Sequence, residues 1–348
     1  MVAPSADVRV GSPILCAVMH PDDQRARFLA EARSGRHLPF PGHGRTYERF
    51  VGLQQGAQED GGLGRLLEAH EDALAILDEA GHLGARGQAL AVWASEGDHP
   101  LELQKVPGGY QLWGKKRFCG GADVVDAAVV TVPGVQGSQL VLVPLDSPAV
   151  HVDMSTWQTP AFQSAAVGTV TFSGLHLSHE AAVGGPGFYT SRPGFWQGAV
   201  GVAAVWAGLT DALIGSLARS QPRTDQIGLA CSGELEANRW AIDTALRQAA
   251  FGIDASPTSD CERVALCCRQ IVRVHSESIL RTLLHESGPV GLAFHPSAGT
   301  QVLELTMALG QSHGARDLVA LGERVRKDEH SRQSMIGGGG GNGTGSVG

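Results

Sequence analysis

Apolar residues recur at helical spacing in the N-terminal quarter of the chain. The clearest stripe comprises Leu66, Leu67, His70, Ala73, Leu74, Ile76 and Leu77. Positions three and four apart lie on one face of an α-helix, so the stripe predicts an amphipathic helix that packs on a core. A weaker helical pattern runs from Tyr47 and is interrupted by Gly61 and Gly62. We therefore predict a helical N-terminal domain over residues 1–88.

The apolar pattern changes from helical spacing to alternation between residues 89 and 185. Leu101–Val106 alternates, and Ala127–Val132 and Leu140–Leu145 are nearly continuous apolar runs of strand length. Turn residues such as those at 107–109 separate these runs. Several short strands spaced roughly ten residues apart predict a central antiparallel β-sandwich or barrel.

Helical spacing returns after residue 186 and persists to residue 330. The predicted helices are Gly198–Leu217, Glu234–Ile253, Asp260–Glu286 and Gln301–Glu323. Four long helices with short connections are typical of a four-helix bundle. The first of them is strongly apolar, but Asp211 and Ser216 interrupt the run, so we expect a buried bundle helix there. Residues 331–348 are Gly-rich and are predicted to form a flexible tail.

Composition narrows the class of protein further. The 348 residues include 27 Lys and Arg against 35 Asp and Glu, a net charge of −8, which argues against a nucleic-acid or anionic-membrane binder. The N-terminus lacks the basic and apolar blocks of a signal peptide. The six cysteines include no Cys-x-x-Cys pair, and we expect reduced thiols. These features predict a cytoplasmic protein.

Motifs that often carry chemistry are incomplete in this chain. Gly109–Lys116 matches most of a phosphate-binding loop, but the last position is Lys where Ser or Thr should hold magnesium. His70 and Glu71 begin a zinc-protease motif whose second histidine is replaced by Leu74. No Gly-x-Ser-x-Gly elbow is present. The residues alone therefore indicate an α+β architecture and little chemistry.

Several segments occur in an order that suggests a known family. They are Tyr110–Asp123, Trp157–Ser164, Val170–Phe172, Leu175–Leu177, Gly201–Gly208 and Gln311–Gly322. Over residues 40–325 this ordered set resembles the acyl-CoA dehydrogenase superfamily of flavoproteins, as a divergent member. The resemblance implies the same α+β fold: an N-terminal helical segment, a central β-domain and a C-terminal four-helix bundle.

The resemblance also implies FAD, held between the β-domain and the bundle of a homodimer or homotetramer. The residues that match cofactor contacts of the family are Ala94, Ser95, Phe118, Cys119, Gly120 and, more loosely, Arg223. The implied substrate is an acyl-CoA or a similar small molecule, and an electron-acceptor protein is an implied partner. A strand edge would present polar groups to the flavin, and an aromatic residue would shield its ring from water.

Three departures from the family pattern bear on function. The loop Ser95–Pro100 lacks the usual Gly-Ser, and the arginine motif that clamps the FAD pyrophosphate is missing, with Arg223 only in its neighbourhood. No Tyr-Glu-Gly is present to supply the glutamate that removes the α-proton of an acyl thioester. His313, in the segment that resembles the closing helix, is the candidate base.

These features leave three hypotheses for the function. The first is an FAD-dependent oxidoreductase that acts on the CH–CH bond of an acyl thioester or related substrate. The second is a monooxygenase of the same fold that uses reduced flavin and oxygen and needs no glutamate base. The third is a catalytically degenerate subunit that assists an active homologue.

Overall fold

The structure is a computed structural model that describes residues 20–82, 85, 87–95, 100–218, 224–258 and 261–337. Within these ranges three helices precede a block of eight strands, and six further helices follow it. The helices are α1 (Pro21–Arg33), α2 (Thr46–Glu59), α3 (Gly61–Glu79), α4 (Phe188–Ser191), α5 (Gly194–Leu217), α6 (Gln226–Ala255), α7 (Glu262–Phe294), α8 (Pro296–Leu309) and α9 (Ala315–Gly337). The strands are β1 (Leu90–Trp93), β2 (Glu102–Val106), β3 (Gly109–Cys119), β4 (Ala127–Val132), β5 (Gln139–Pro144), β6 (Val150–Asp153), β7 (Gly168–Ser178) and β8 (Ala182–Val183).

Helix α3 has the apolar stripe that its sequence predicts, and most of the stripe is buried. Asp60 caps the helix, because its Oδ1 accepts a hydrogen bond from the Leu63 N–H at 2.8 Å. Gly61 and Gly62 do not interrupt a single helix as the pattern suggested; they begin α3 after α2 has ended. A Cβ on Gly64 would lie 2.5 Å from the Ala57 Cα, so glycine is what allows α2 and α3 to approach this closely.

The strands form two four-stranded sheets with the orders β1-β4-β5-β8 and β2-β3-β7-β6. The predicted β-sandwich is thus confirmed, and neither sheet closes into a barrel. All pairs are antiparallel except β1 with β4, which is parallel. Strand β4 is buried along its whole length, which explains why its sequence is apolar without alternation. The phosphate-loop-like segment 109–116 lies inside β3, where no helix N-terminus can face a phosphate.

The C-terminal helices pack around α5, as the sequence predicts for a bundle. Helix α5 is long and apolar enough to cross a membrane by length and composition, but 78% of its most apolar window is buried inside the protein. It is therefore the central helix of the bundle core. Helix α7 continues past its predicted end at residue 286 to Phe294, with a kink at Gly288, whose φ is 53°.

The predicted fourth helix, 301–323, is wrong in one respect: it is two helices, α8 and α9. Helix α8 ends at Leu309, and α9 begins at Ala315. Gly314, immediately before α9, has a φ of 51°, a backbone conformation that a continuous right-handed helix cannot include. Helix α9 then extends to Gly337, past the predicted boundary at 330, because residues 331–336 include no glycine or proline. Of the predicted tail, residues 338–348 lie outside the described residues.

Candidate functional site

Three residues other than glycine adopt a left-handed backbone conformation in the described part of the chain. They are Phe118, Phe162 and Ala166, with φ values of 58°, 57° and 48°. For a residue with a side chain this conformation costs about 1–2 kcal/mol. Phe118 is at the end of β3, and the other two flank the short turn Gln163–Ala165. The two segments are adjacent, because the N–H groups of Gly121 and Ala122 donate to the carbonyls of Ala165 and Ala166. Clustered backbone strain is typical of functional sites.

This region borders a cavity of about 300 Å³, which we call the Phe118 cavity. Phe118 is 64% exposed, and its ring meets that of Trp157 edge to face with 6.5 Å between centroids. The remaining lining residues are Arg65, Leu66, Gly120, Phe162, Ala165, Val167, Met307, Gly310 and Gln311. The cavity is therefore aromatic and apolar, with one guanidinium and one amide side chain.

A bulge in β3 turns Phe118 outward. The register between β3 and β7 shifts between Lys116 and Cys119, so an irregular segment separates the two paired positions. The segment is held from both sides: the Trp93 Nε1–H donates to the Gly120 carbonyl at 2.9 Å, and the Gly121 N–H donates to the Ala165 carbonyl at 2.8 Å. The left-handed conformation of Phe118 is thus imposed by tertiary contacts.

The structure separates the side chains predicted to contact a cofactor. Phe118 and Gly120 line the Phe118 cavity. The Cys119 side chain is fully buried in the sandwich core, where its Sγ donates to the Lys116 carbonyl at 3.3 Å and burial raises the thiol pKa to about 12. The Ser95 hydroxyl donates to the Arg117 carbonyl at 3.0 Å and so joins the end of β1 to β3. The predicted contact Arg223 lies outside the described residues.

Ala94 and His313 line a second cavity of about 280 Å³, which we call the His313 cavity. Its apolar wall includes Tyr189, Phe195 and Trp196, and its polar residues include Glu68 and Asp72 of α3. Ala94 is at the strand end predicted to face a cofactor, and His313 is the predicted catalytic base. The two residues are far apart in the sequence, yet they line the same cavity. The break between α8 and α9 makes this arrangement possible, because it places His313 in a turn.

The two cavities are neighbours along α3. Arg65 lines the Phe118 cavity and Glu68 lines the His313 cavity, and the two side chains form an ion pair with 2.6 Å between Nη1 and Oε2. The α8–α9 turn also borders both, through Gln311 on one side and His313 on the other. A ligand in one cavity would therefore lie close to a ligand in the other.

Charged groups in the His313 cavity are paired. The Asp317 carboxylate lies 3.5 Å from His313 Nδ1 and 3.9 Å from Arg269 Nε. Burial lowers the pKa of Arg269, whose guanidinium packs over the Trp206 ring at 4.8 Å. Asp72 is held at 2.9 Å by the fully buried Arg49. Burial raises the pKa of Glu68, so this carboxyl favours its neutral form more than an exposed glutamate does.

Sequence reasoning missed the contribution of α3 to both cavities. Its polar residues Arg65, Glu68 and Asp72 follow each other at spacings of three and four within an otherwise apolar helix. That spacing places them on one helical face. A polar face on a buried helix is the signal that could have identified them, because charged side chains are rarely buried without a partner or a function.

A buried carboxyl supports the strained loop beneath the Phe118 cavity. Glu304 of α8 is 7% exposed, and its Oε1 accepts a hydrogen bond from the Phe162 N–H at 2.8 Å. Burial, with a smaller contribution from Asp60, raises the Glu304 pKa to about 7. Asp60 in turn accepts a hydrogen bond from the Ser164 hydroxyl. The loop that bears Phe162 is thus anchored to both α3 and α8.

Comparison with protein-family models gives no match, and no curated protein matches the sequence. Solved structures do match. Dibenzothiophene monooxygenase TdsC from Paenibacillus sp. A11-2 aligns with a TM-score of 0.70 at 16% identity, over 87% of this chain and 95% of that one. Methanesulfinate monooxygenase MsuC from Pseudomonas fluorescens aligns with a TM-score of 0.71 at 13% identity, over 92% and 98%.

Butyryl-CoA dehydrogenase from Megasphaera elsdenii aligns with a TM-score of 0.68 at 13% identity, over 80% of this chain and 81% of that one. One matching structure of TdsC contains FMN, and another contains FMN and indole. At these identities the comparison establishes the fold. The chain therefore has the acyl-CoA dehydrogenase fold, as the resemblance in its sequence indicated.

Proposed function

We propose that the protein is a flavin-dependent oxidoreductase that binds the flavin ring at the Phe118 cavity and its substrate in the His313 cavity. The observation that carries this proposal is the clustering of strained backbone at Phe118, Phe162 and Ala166 around an aromatic cavity that adjoins a paired histidine. Strain of this kind persists only where surrounding contacts impose it, and it is common where a ligand is held.

The residues of the Phe118 cavity fit a flavin ring system. Such a ring has apolar faces and a polar rim, and the cavity offers the Phe118 and Trp157 rings together with the polar groups of Arg65 and Gln311. When bound, the flavin would supply the electron-transfer chemistry. The resemblance implied FAD, whereas TdsC binds FMN, so affinity for each is to be measured.

The arrangement of acids favours a reduced-flavin monooxygenase over an acyl-CoA dehydrogenase. Abstraction of an α-proton needs an available carboxylate, but Asp72 and Asp317 are both held by arginines. His313 has an imidazole in the cavity, 69% exposed, with Nδ1 directed to Asp317. In our proposal Asp317 orients the ring, and the lone pair on Nε2 accepts a proton from the substrate. The aromatic wall of Tyr189, Phe195 and Trp196 suits a small aromatic substrate.

Acyl-CoA dehydrogenation is the second candidate, and Glu68 is the observation that favours it. This carboxyl lines the His313 cavity, and burial raises its pKa, a shift in the direction that favours proton uptake by a general base. A Glu68→Gln substitution would then abolish turnover of butyryl-CoA. Under the monooxygenase proposal the same substitution should not abolish turnover, because it leaves the imidazole of His313 in place.

One set of measurements separates the candidates. The purified protein is titrated with FMN and with FAD, and binding is followed by quenching of flavin fluorescence. Oxygen consumption with chemically reduced flavin and indole would support the monooxygenase, whereas anaerobic bleaching of bound flavin by butyryl-CoA would support the dehydrogenase. Flavin binding without either reaction would favour the degenerate subunit, and failure to bind either flavin would refute the proposal.

The role of His313 is tested by His313→Gln. Loss of a general base lowers turnover by about 100-fold or more, and flavin affinity should not change because His313 lines the other cavity. The matched control is His151→Gln, an exposed histidine on β6. Equal turnover in both variants would contradict the assignment of His313.

We also propose that the predicted homodimer or homotetramer forms through the bundle. Trp240 and Phe251 of α6 are 68% and 70% exposed, which is costly for large aromatic side chains in a monomer. Light scattering should give a mass of at least twice 36.4 kDa. Trp240→Lys should shift the protein towards the monomer, and a monomeric wild type would contradict the proposal.

A further inference from the structure

A third cavity, which shares no lining residue with the two described above, is lined by two histidines whose rings each have a buried nitrogen without a partner among the described residues. It has a volume of about 190 Å³ and is lined by residues of α1 and α3 and by residues 35–37, 40, 82, 85, 87 and 88. We call it the His70 cavity. A single buried water needs only about 10–15 Å³ of such volume, so the cavity has room for a small molecule.

The tautomer of His70 follows from its partner. His70 is 2% exposed, and its Nδ1 accepts a hydrogen bond from the Leu90 N–H at 3.2 Å. Burial lowers the His70 pKa to about 4, so the ring is neutral at physiological pH and its proton lies on Nε2. Nε2 is buried and has no hydrogen-bond partner in the described part of the chain. His70, one of the residues that line the cavity, therefore has one unused donor.

His82 offers the complementary group. Its Nε2 lies 3.0 Å from the Glu180 carbonyl oxygen, which can only accept, so Nε2 carries a proton and, in the neutral ring, Nδ1 has a lone pair. Nδ1 is also buried without a partner among the residues that the structure describes. Two residues that line the same cavity thus have an unpaired ring nitrogen, a donor on His70 and an acceptor on His82. Leaving both unpaired costs about 1–3 kcal/mol each.

The remaining walls favour a flat, neutral molecule. Ala32, Leu74 and Leu77 supply apolar surface, and His37 stacks on Phe40 with 4.7 Å between ring centroids. A metal ion is disfavoured. Ligation through His70 Nε2 would require the ring proton to move to Nδ1, which already accepts from the Leu90 N–H, so two N–H groups would face each other. No group of three potential metal ligands occurs within the described ranges.

Arg36 and Asp78, which are both exposed, also line the cavity. Their opposite charges give the cavity no net preference for an ion.

We propose that the His70 cavity binds a small planar amide of the lactam or pyridone type, whose carbonyl accepts from His70 Nε2–H and whose N–H donates to His82 Nδ1. This site is independent of the flavin and substrate cavities, so it can be tested on the protein without a cofactor.

The probe is 2-pyridone, which carries an adjacent carbonyl and N–H on a flat ring. Binding is measured by calorimetry and by ¹⁵N NMR of the histidine side chains. We expect the His70 and His82 ring-nitrogen signals to shift, while that of His151 does not. N-methyl-2-pyridone lacks the donor, and it should bind about fivefold to tenfold more weakly, the effect of one lost hydrogen bond.

The His82→Lys variant sharpens the test. Lysine keeps N–H donors for the Glu180 carbonyl but has no acceptor to replace Nδ1, and folding is checked by circular dichroism. We expect 2-pyridone to lose about fivefold to tenfold in affinity, with no further loss for the N-methyl compound. The control His151→Lys should bind like the wild type. The absence of binding, equal affinity for both compounds, or a crystal soaked with 2-pyridone that shows only water in the cavity would overturn the proposal.

Discussion

The Glu304 carboxyl should make the protein less stable as the pH rises from about 4.5 to about 7. Burial at 7% exposure raises its pKa to about 7 from an ordinary value of 4.5. Between these two values the folded state holds a proton that the unfolded state has lost. Stability therefore falls with increasing pH across this window, and the full penalty is present above pH 7.

The size of the effect follows from the difference between the two pKa values. That difference is about 2.5, and each pKa unit corresponds to about 1.4 kcal/mol. The ionised carboxylate of Glu304 thus lowers the free energy of unfolding at pH 8 by roughly 3 kcal/mol, an order-of-magnitude value. Glu304→Gln removes this penalty and keeps an oxygen that can accept the hydrogen bond from the Phe162 N–H.

The assay is urea unfolding at pH 4.5, 6 and 8 for the wild type, Glu304→Gln and the control Glu323→Gln, whose carboxylate is on the exposed part of α9. We expect Glu304→Gln and the wild type to be equally stable at pH 4.5. At pH 8 the variant should be more stable by about 2–3 kcal/mol. The control should follow the wild type throughout. Parallel curves for wild type and Glu304→Gln would refute the reasoning.

Two further predictions concern the bulge in β3. Phe118 has a φ of 58°, a conformation that favours glycine, so Phe118→Gly should be more stable than Phe118→Ala by about 1 kcal/mol. This is the reverse of the usual order in a strand. Both variants should lose flavin affinity, because both remove the aromatic ring. Lys115 is the control position, because it lies on the same strand and has a negative φ. There, thermal melts should show that Lys115→Ala is more stable than Lys115→Gly. Burial raises the pKa of the Cys119 thiol to about 12, so this residue should not react with a thiol reagent at pH 8 until the protein is unfolded. If mass spectrometry locates the modification at Cys119 in the native protein, its placement in the core is contradicted.

Periodicity predicted the order of elements because each pattern reports one element and the face that it buries. The α3 stripe, the strands β4 and β5 and the buried helix α5 were all predicted from spacing alone. Periodicity did not predict the short strands β1, β6 and β8, since two to four residues are too few to show a period. It also merged α8 and α9, because apolar residues occur on both sides of the turn before Gly314.

The sequence by itself determined the layered architecture and marked Phe118, Ala94 and His313 as residues of interest. Only the tertiary structure decided that Ala94 and His313 share a cavity, that the Cys119 side chain lies in the core, and that α3 contributes charged groups to the site. The physical reason is that local spacing fixes which face of an element is apolar. The backbone conformation at Phe118 and the pairing of Asp317 depend instead on contacts with residues distant in the chain.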